Sequence, residues 1–262
     1  MTMKKVSIKQ RGFTGSMKAT LPSGKAFKAS TIDYQPGFGI LGIDDEAIGI
    51  EPFVYIGFPS GLEAGSHPIL PKDQQKVWAH LGVSGGGDAQ SGKLVIEDWS
   101  STEAISASFS FAGNDHNGLP FDVKAGSFNI NSESEVETID LRFSAFASLT
   151  PELSENTEFK ADTISVGFDE VNSAYKIWVT QERDLNGGLS QLGAYFRVSH
   201  EGAVNALAVV DGGVYVAQGL NITEFSFEKD VLLSFKFSYS FSLGEDKYSV
   251  SEGKLIVDWR LK

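Results

Sequence analysis

Leu233-Ser234-Phe235-Lys236-Phe237-Ser238-Tyr239-Ser240-Phe241-Ser242-Leu243 alternates a large apolar side chain with a small or charged one at every step. Period two is the spacing of a β-strand with one face on a core and the other toward water or a neighbouring layer. A shorter version stands earlier, with Ile105, Ala107, Phe109 and Phe111 alternating with Ser106, Ser108 and Ser110. Similar runs recur at 5–10, 26–34, 48–57, 77–83, 93–99, 121–130, 138–146, 159–168, 174–180, 193–199, 204–210, 214–224 and 247–260. Turn signals such as Pro22-Ser23-Gly24, Gly85-Gly86-Gly87, Asn117-Gly118, Asn186-Gly187-Gly188 and Asp211-Gly212-Gly213 separate them. Short strands with almost no helical periodicity predict an all-β protein of antiparallel β-sandwiches.

The two strands belong to a larger self-similarity. Phe27-Lys28-Ala29-Ser30-Thr31-Ile32 matches Phe159-Lys160-Ala161-Asp162-Thr163-Ile164, and Phe121-Asp122-Val123-Lys124-Ala125-Gly126 matches Tyr248-Ser249-Val250-Ser251-Glu252-Gly253. Between them, Leu94-Val95-Ile96-Glu97-Asp98-Trp99 pairs with Leu220-Asn221-Ile222-Thr223-Glu224-Phe225. An offset of about 126 to 132 residues copies a whole domain, not a solenoid unit. The expectation is a tandem pair of related domains, residues 1–131 and 132–262, with the polar Asn131–Glu137 run as the boundary.

Composition narrows the functional classes. The 262 residues carry a formal net charge of −12, with 11 basic and 13 acidic side chains in 1–131 against 11 and 21 in 132–262. Such a surface repels phosphate backbones, which argues against nucleic acid as a partner. With no cysteine there is no disulfide, thiolate metal site or cysteine nucleophile. The basic N-terminal residues lack an apolar run behind them, and no stretch is long enough for a membrane-spanning helix. The expectation is a soluble chain, cytoplasmic or secreted by a route other than the standard signal.

Gly24, Lys25, Phe27 and Ala29, then Gly92, Leu94 and Ile96, then Ile105, Phe109 and Phe111, then Gly126 and Phe128 form an ordered pattern. It resembles a bacterial β-sandwich domain family of unknown function whose members are often exported or lipid-anchored. The resemblance covers both halves, less fully in the second, where Gly24 has no counterpart. It implies structural roles for these residues and no catalytic ones. A lipid-anchoring cysteine is absent.

Chemistry-bearing motifs are sparse. Gly82-Val83-Ser84-Gly85-Gly86 fits the nucleophile-elbow pattern, but no helix-forming sequence follows, and its repeat counterpart is Val210-Asp211-Gly212-Gly213. Ser and Asp both open tight turns, so a hairpin explains the pair. The histidines, His67, His80, His116 and His200, show no zinc spacing. Trp78 and His80 share strand parity and form the candidate ligand-binding ledge. Asp115 with Asn117, and Asp184 with Asn186, read as fragments of calcium loops. Each supplies fewer than the roughly six to eight oxygens that calcium needs, so the expectation is turns and no cofactor, with calcium as the alternative. Asp44-Asp45-Glu46 could extend such a site. Glu97-Asp98 and Asp169-Glu170 are the neighbouring carboxylates a hydrolase would draw on, facing opposite ways if extended. Trp99 and Trp178 match Phe225 and, roughly, Tyr55 in the other half, which assigns them to core volume.

The leading functional expectation is a non-catalytic binding, adhesion or matrix-type protein recognising an extracellular protein, glycan or cell surface. The alternative is a secreted pore-forming or membrane-active toxin whose Phe235, Phe237, Tyr239 and Phe241 face would enter a bilayer. A hydrolase ranks third.

Overall fold

Among the described residues of the computed structural model each regular element is a β-strand, and strand pairs such as Ala104–Asn114 with Pro120–Leu153, Ala174–Leu185 with Gly188–Ser199 and Leu232–Leu243 with Asp246–Asp258 are antiparallel. The structure describes residues 3–35, 39–44, 52–59, 62–71, 77–83, 86–100, 104–115, 117–153, 156–169, 173–185, 188–199, 201–211, 213–244 and 246–260; within these, the side chains of 8–12, 132–139 and 182–190 are among those left undescribed. Two units divide the chain, Arg11–Glu135 and Met1–Gln10 with Val136–Lys262.

In chain order the strands of the first half are β1 (Lys4–Thr20), β2 (Ala26–Lys28), β3 (Thr31–Gln35), β4 (Gly39–Ile43), β5 (Phe53–Gly57), β6 (Gly65–Ile69), β7 (Trp78–Gly82), β8 (Ala89–Ser100), β9 (Ala104–Asn114) and β10 (Pro120–Leu153). β3-β4-β5-β7 form a four-stranded sheet; β6-β8-β9-β10 form a second, with β1 on β10 and β2 on β1. The second half adds β11 (Asn156–Lys160), β12 (Thr163–Asp169), β13 (Ala174–Leu185), β14 (Gly188–Ser199), β15 (Val204–Val210), β16 (Gly213–Val216), β17 (Gln218–Glu228), β18 (Leu232–Leu243) and β19 (Asp246–Asp258). Here β12-β13-β14-β15-β16 form a five-stranded sheet, while β17-β18-β19 continue to β10, which also takes β11.

Each unit has its own core, drawn from both of its sheets. In the first, Ile40, Val54, Ile56 and Leu81 join Phe27, Leu94, Phe109, Phe111 and Phe128. In the second, Ile177, Val179, Phe196 and Ala208 join Phe143, Phe159, Phe235, Phe237 and Leu255. Burying each Phe or Leu side chain stabilises by roughly 1.5–3 kcal/mol, so the aromatic strands β9 and β18 anchor their units.

Several local devices occur once in each unit. The chain changes sheets at one peptide: Ala29 N–H donates to Met17 O and Ser30 N–H to Ile43 O, both 2.9 Å. Likewise Ala161 N–H donates to Ala145 O at 2.9 Å and Asp162 N–H to Thr180 O at 3.0 Å. This corner divides the expected strand 26–34 into β2 and β3, and 159–168 into β11 and β12; apolar alternation runs through the break. A bulge also repeats. Val123 faces Phe111 and Gly126 faces Phe109, as Val250 faces Tyr239 and Gly253 faces Phe237. Ala125 and Glu252 sit in the left-handed region at φ 47° and 53°. A Cβ on Gly126 or Gly253 would collide with the ring of Phe109 or Phe237. An aromatic ring lying on a cross-strand glycine fills the space that glycine leaves in a strand.

The division between the units falls at Glu135 and Val136, inside the polar run Asn131–Glu137, although the backbone is strand throughout β10. The run's Ser/Glu alternation has the strand period, so the chain crosses from one unit to the other without leaving the strand. One expectation is corrected: the middle match of the repeat shifts by two. Leu94 lies opposite Phe109 and Ile222 opposite Phe237, which makes Ile222, not Leu220, the counterpart of Leu94.

Candidate functional site

The four-stranded sheet turns Ile40, Val54, Ile56, Ala79 and Leu81 into the core of the first unit, so the alternate residues occupy its other face. On that face β5 and β7 form three successive cross-strand pairs, Phe53 with Gly82, Tyr55 with His80, and Gly57 with Trp78. The outer two are again rings on glycines. A Cβ on Gly82 would collide with the Phe53 ring, and one on Gly57 with the Trp78 indole. The indole therefore lies against the bare backbone of Gly57.

Between these brackets sits His80. Its ring stacks on Phe53, centroids 5.6 Å apart and planes 21° from parallel. Its Nδ1–H donates to Asp88 Oδ1 at 2.8 Å, since a carboxylate only accepts. The His80 side chain is 11% exposed and that of Asp88 50% exposed, so the pair runs from the sheet to solvent. With one partner half in water, its contribution to stability is about 1 kcal/mol or less. Tyr55 is 2% exposed, and burial pushes its phenol well above the ordinary range, so it stays neutral. Asp33, opposite Leu41, which is itself opposite Tyr55, places a further buried carboxyl in the row. Trp78 is half-buried at the end of the ledge. The structure thus places Trp78 and His80 on one face, and Asp88, which the sequence reading missed, joins them across the hairpin.

The second unit carries different chemistry in the matching row. Tyr195 pairs with Trp178 on one side and Leu207 on the other, and Leu207 pairs with Val216. Leu207 and Val216 therefore occupy the places of His80 and Asp88. Gly193–Val209 and Arg197–Asn205 replace the two bracketing pairs. By the same pairing Tyr55 corresponds to Tyr195, and Trp178 to Leu41.

Other candidate residues are committed to the fold. Asp115 is buried, and its Oδ1 accepts from the backbone N–H of Asn117 and Leu119, both at 2.8 Å. That is the chemistry of an Asx turn, with Gly118 at φ 77° completing it. Asp184 lies in β13, opposite Leu189; its side chain and Asn186 fall outside the described residues, as do Ser84, His116, His200, Asp45, Glu46 and Glu170. Among the described residues, no group of three or more His, Cys, Asp or Glu is placed to hold a metal ion. Phe235, Phe237, Tyr239 and Phe241 all point into the core of the second unit, at most 6% exposed. Trp178 and Trp259 are buried and Trp99 half-buried against Phe58. Glu97 and Asp98 are both exposed where β8 bulges, so strict alternation fails there.

A charged clasp in the second unit had no sequence signal. Asp258, 2% exposed, accepts from Arg260 Nε at 2.8 Å and Arg260 Nη2 at 2.9 Å, with Arg142 Nη2 at 3.4 Å. The Arg260 hydrogen bonds hold the Asp258 carboxyl down to about 2, against the opposing effect of burial. Nearby, Tyr175 Oη donates to Asp230 Oδ1 at 2.6 Å, and Trp259 N–H donates to Val231 O at 2.9 Å. Only side-chain position reveals that residues so distant in sequence form one clasp.

No family model, curated protein or solved structure matches this chain. No helix of the described residues is long and apolar enough to cross a membrane.

Proposed function

We propose that the protein is a non-catalytic binding protein made of two antiparallel β-sandwich domains descended from one by duplication, and that it recognises its target through the first copy. The common descent is supported by the paired corners at Ala29 and Ala161 and the paired bulges at Gly126 and Gly253. The observation that carries the functional reading is the exchange of Leu207 and Val216 for His80 and Asp88 in an otherwise corresponding row. A Leu–Val pair at a sheet edge satisfies packing; a His–Asp pair adds a donor and an acceptor that packing does not require. Loss of packing without a compensating role is what selection for stability removes, so the polar pair points to recognition. The target is a protein or glycan surface, met without metal or cofactor.

The test exchanges the pair for the one already used by the second unit. The full chain and the double variant His80→Leu/Asp88→Val are compared on glycan arrays and in pull-downs with intact cells. The natural chain is retained and the folded double variant is not. A natural chain that binds nothing, or a double variant that binds as well, ends the proposal. Vesicles incubated with the natural chain stay sealed, because the aromatic face of β18 is in the core.

A further inference from the structure

We infer that the outer edge of β17 takes an extended, basic segment of a partner chain, added as an antiparallel strand in the place that β6 fills in the first unit. The inference concerns the second unit and stands apart from the row that holds His80.

The two units supply the comparison. In the first, β8 pairs with β9 on one side and with β6 on the other, where Pro68 faces Lys93, His67 faces Leu94 and Ser66 faces Val95. In the second, Asn221, Ile222 and Thr223 hold the places of Lys93, Leu94 and Val95, opposite Ser238, Phe237 and Lys236 of β18. Among the described residues no strand pairs with the other side of β17. One connection accounts for the difference. β5 ends at Gly57 and β7 begins at Trp78, so residues 58–77 leave the four-stranded sheet and supply β6. Their counterparts β14 and β15 are joined by residues 200–203 alone. Ser199 N–H donates to Ala203 O at 2.9 Å and Gly202 N–H to Ser199 O at 3.1 Å, which closes a tight turn. A turn that short has no strand to give.

The uncovered strand keeps an apolar rim. Beside β6, Leu94 and Ile96 are fully buried, and Ile69 of β6 joins the same core. Leu220, Ile222 and Phe225 are only half-buried against the core of the second unit. Every residue of β17 is exposed or half-buried, and at 11 residues it is longer than the strands that end the other sheet paths. An added strand buries such a rim with alternate side chains and pairs the edge backbone groups. Main-chain hydrogen bonds then give affinity, and the rim selects the side chains. Register shifts flank Asn221–Thr223, so a segment as short as the five residues of β6 spans the straight part of the edge.

Charge selects the occupant. The charged side chains of β17 are Glu224 and Glu228, both exposed, with Lys236 of β18 paired to Glu224. Residues 132–262 carry 11 basic and 21 acidic side chains. A second copy of this edge brings the same excess of negative charge. A segment alternating apolar and basic residues meets the rim with one face and the carboxylates with the other.

The experiment titrates the full chain, its backbone amides assigned by NMR, with the capped peptide Lys-Val-Lys-Ile-Lys-Val-Lys. Two controls are Lys-Lys-Lys-Ile-Val-Val-Lys, which keeps the composition and loses the alternation, and Glu-Val-Glu-Ile-Glu-Val-Glu. The alternating basic peptide shifts the amides of Leu220–Thr223 saturably and leaves those of Lys93–Val95 in place. At saturation it slows solvent exchange of alternate β17 amides by about tenfold or more. Ile222→Lys, which sets a charge into the rim, weakens binding by about tenfold. Glu224→Gln/Glu228→Gln changes only exposed side chains, so it tests the charge even if Ile222→Lys does not fold; at low salt it weakens binding by about fivefold. The inference is overturned if the basic peptide leaves the β17 amides unmoved, or if either control peptide binds as tightly. It is overturned as well if concentrating the chain alone produces the same shifts, because the occupant is then a second copy.

Discussion

The first unit uses rings on glycines in its core and again on the other face of its four-stranded sheet; in the second unit the device appears in the core, and the row that corresponds to His80 has none. In the core the arrangement is shared, Phe109 on Gly126 and Phe237 on Gly253. On the other face of the four-stranded sheet the first unit has Phe53 on Gly82 and Trp78 on Gly57, where the second has Gly193 with Val209 and Arg197 with Asn205. What the halves share is what makes the fold. Where they differ, the first unit has a His–Asp pair, His80 with Asp88, at the place of Leu207 and Val216.

The strongest way to break the shared part is to fill the glycines. Gly126→Ala puts a methyl into the buried Phe109 ring, and overpacking of this kind costs about 2 kcal/mol. Gly253→Ala meets the Phe237 ring and also Phe237 O at 2.6 Å, a backbone atom that cannot turn aside, so it costs more, about 3 kcal/mol. Denaturant unfolding of both variants measures the difference. If Gly253→Ala is the milder of the two, the bulges are not the same device.

How much of this was legible in the sequence depends on how each residue acquires its meaning. The alternation in β9 and β18 is local, and both strands appear where the period places them. β4 and β5 read Gly-Ile-Leu-Gly-Ile and Phe-Val-Tyr-Ile-Gly and are buried at every position. With both faces covered there is no period to find, so β4 went unpredicted; of the expected strand 48–57, Phe53–Gly57 is β5, and residues 48–51 lie outside the described residues. The corner at Ala29 was hidden because alternation continues through it. Trp78 and His80 share a face by parity alone, and that was legible. Their partners were not: Gly57, Gly82 and Asp88 take their roles from the opposite strand, which no spacing within one segment reports.

A smaller effect separates the units by pH. The Asp258 clasp belongs to the second unit; the bulge register places Asn131 at the matching position of the first. Asp258→Asn weakens charge-assisted bonds to Arg260, and because the Arg260 guanidinium is largely in water the cost at neutral pH is about 1 kcal/mol. The folded carboxyl titrates near 2, below its ordinary value of 3.8. Its stabilisation is therefore complete above about pH 4 and disappears as pH falls through about 2. Natural and Asp258→Asn chains, unfolded by denaturant at a series of pH values, converge in stability below that window. A gap that persists at pH 2 would assign the cost to packing and not to charge.

The smallest effect sharpens the comparison at its most local point. Ala125 and Glu252 hold the left-handed conformation that their bulges require, at φ 47° and 53°. An L-residue there carries strain of about 1 kcal/mol, part of which glycine returns as greater freedom of the unfolded chain. Ala125→Gly therefore gains about 0.5 kcal/mol. Glu252→Gly gains less, because Glu252 Oε2 accepts a hydrogen bond from Ser148 Oγ at 3.5 Å, a long and exposed contact that is then lost. Two gains of the same sign, with the first unit's the larger, would show in melting temperatures measured on the full chain. A loss at Ala125 would mean that its methyl contributes packing that outweighs the strain, and that the two bulges, alike in backbone, are held by different forces.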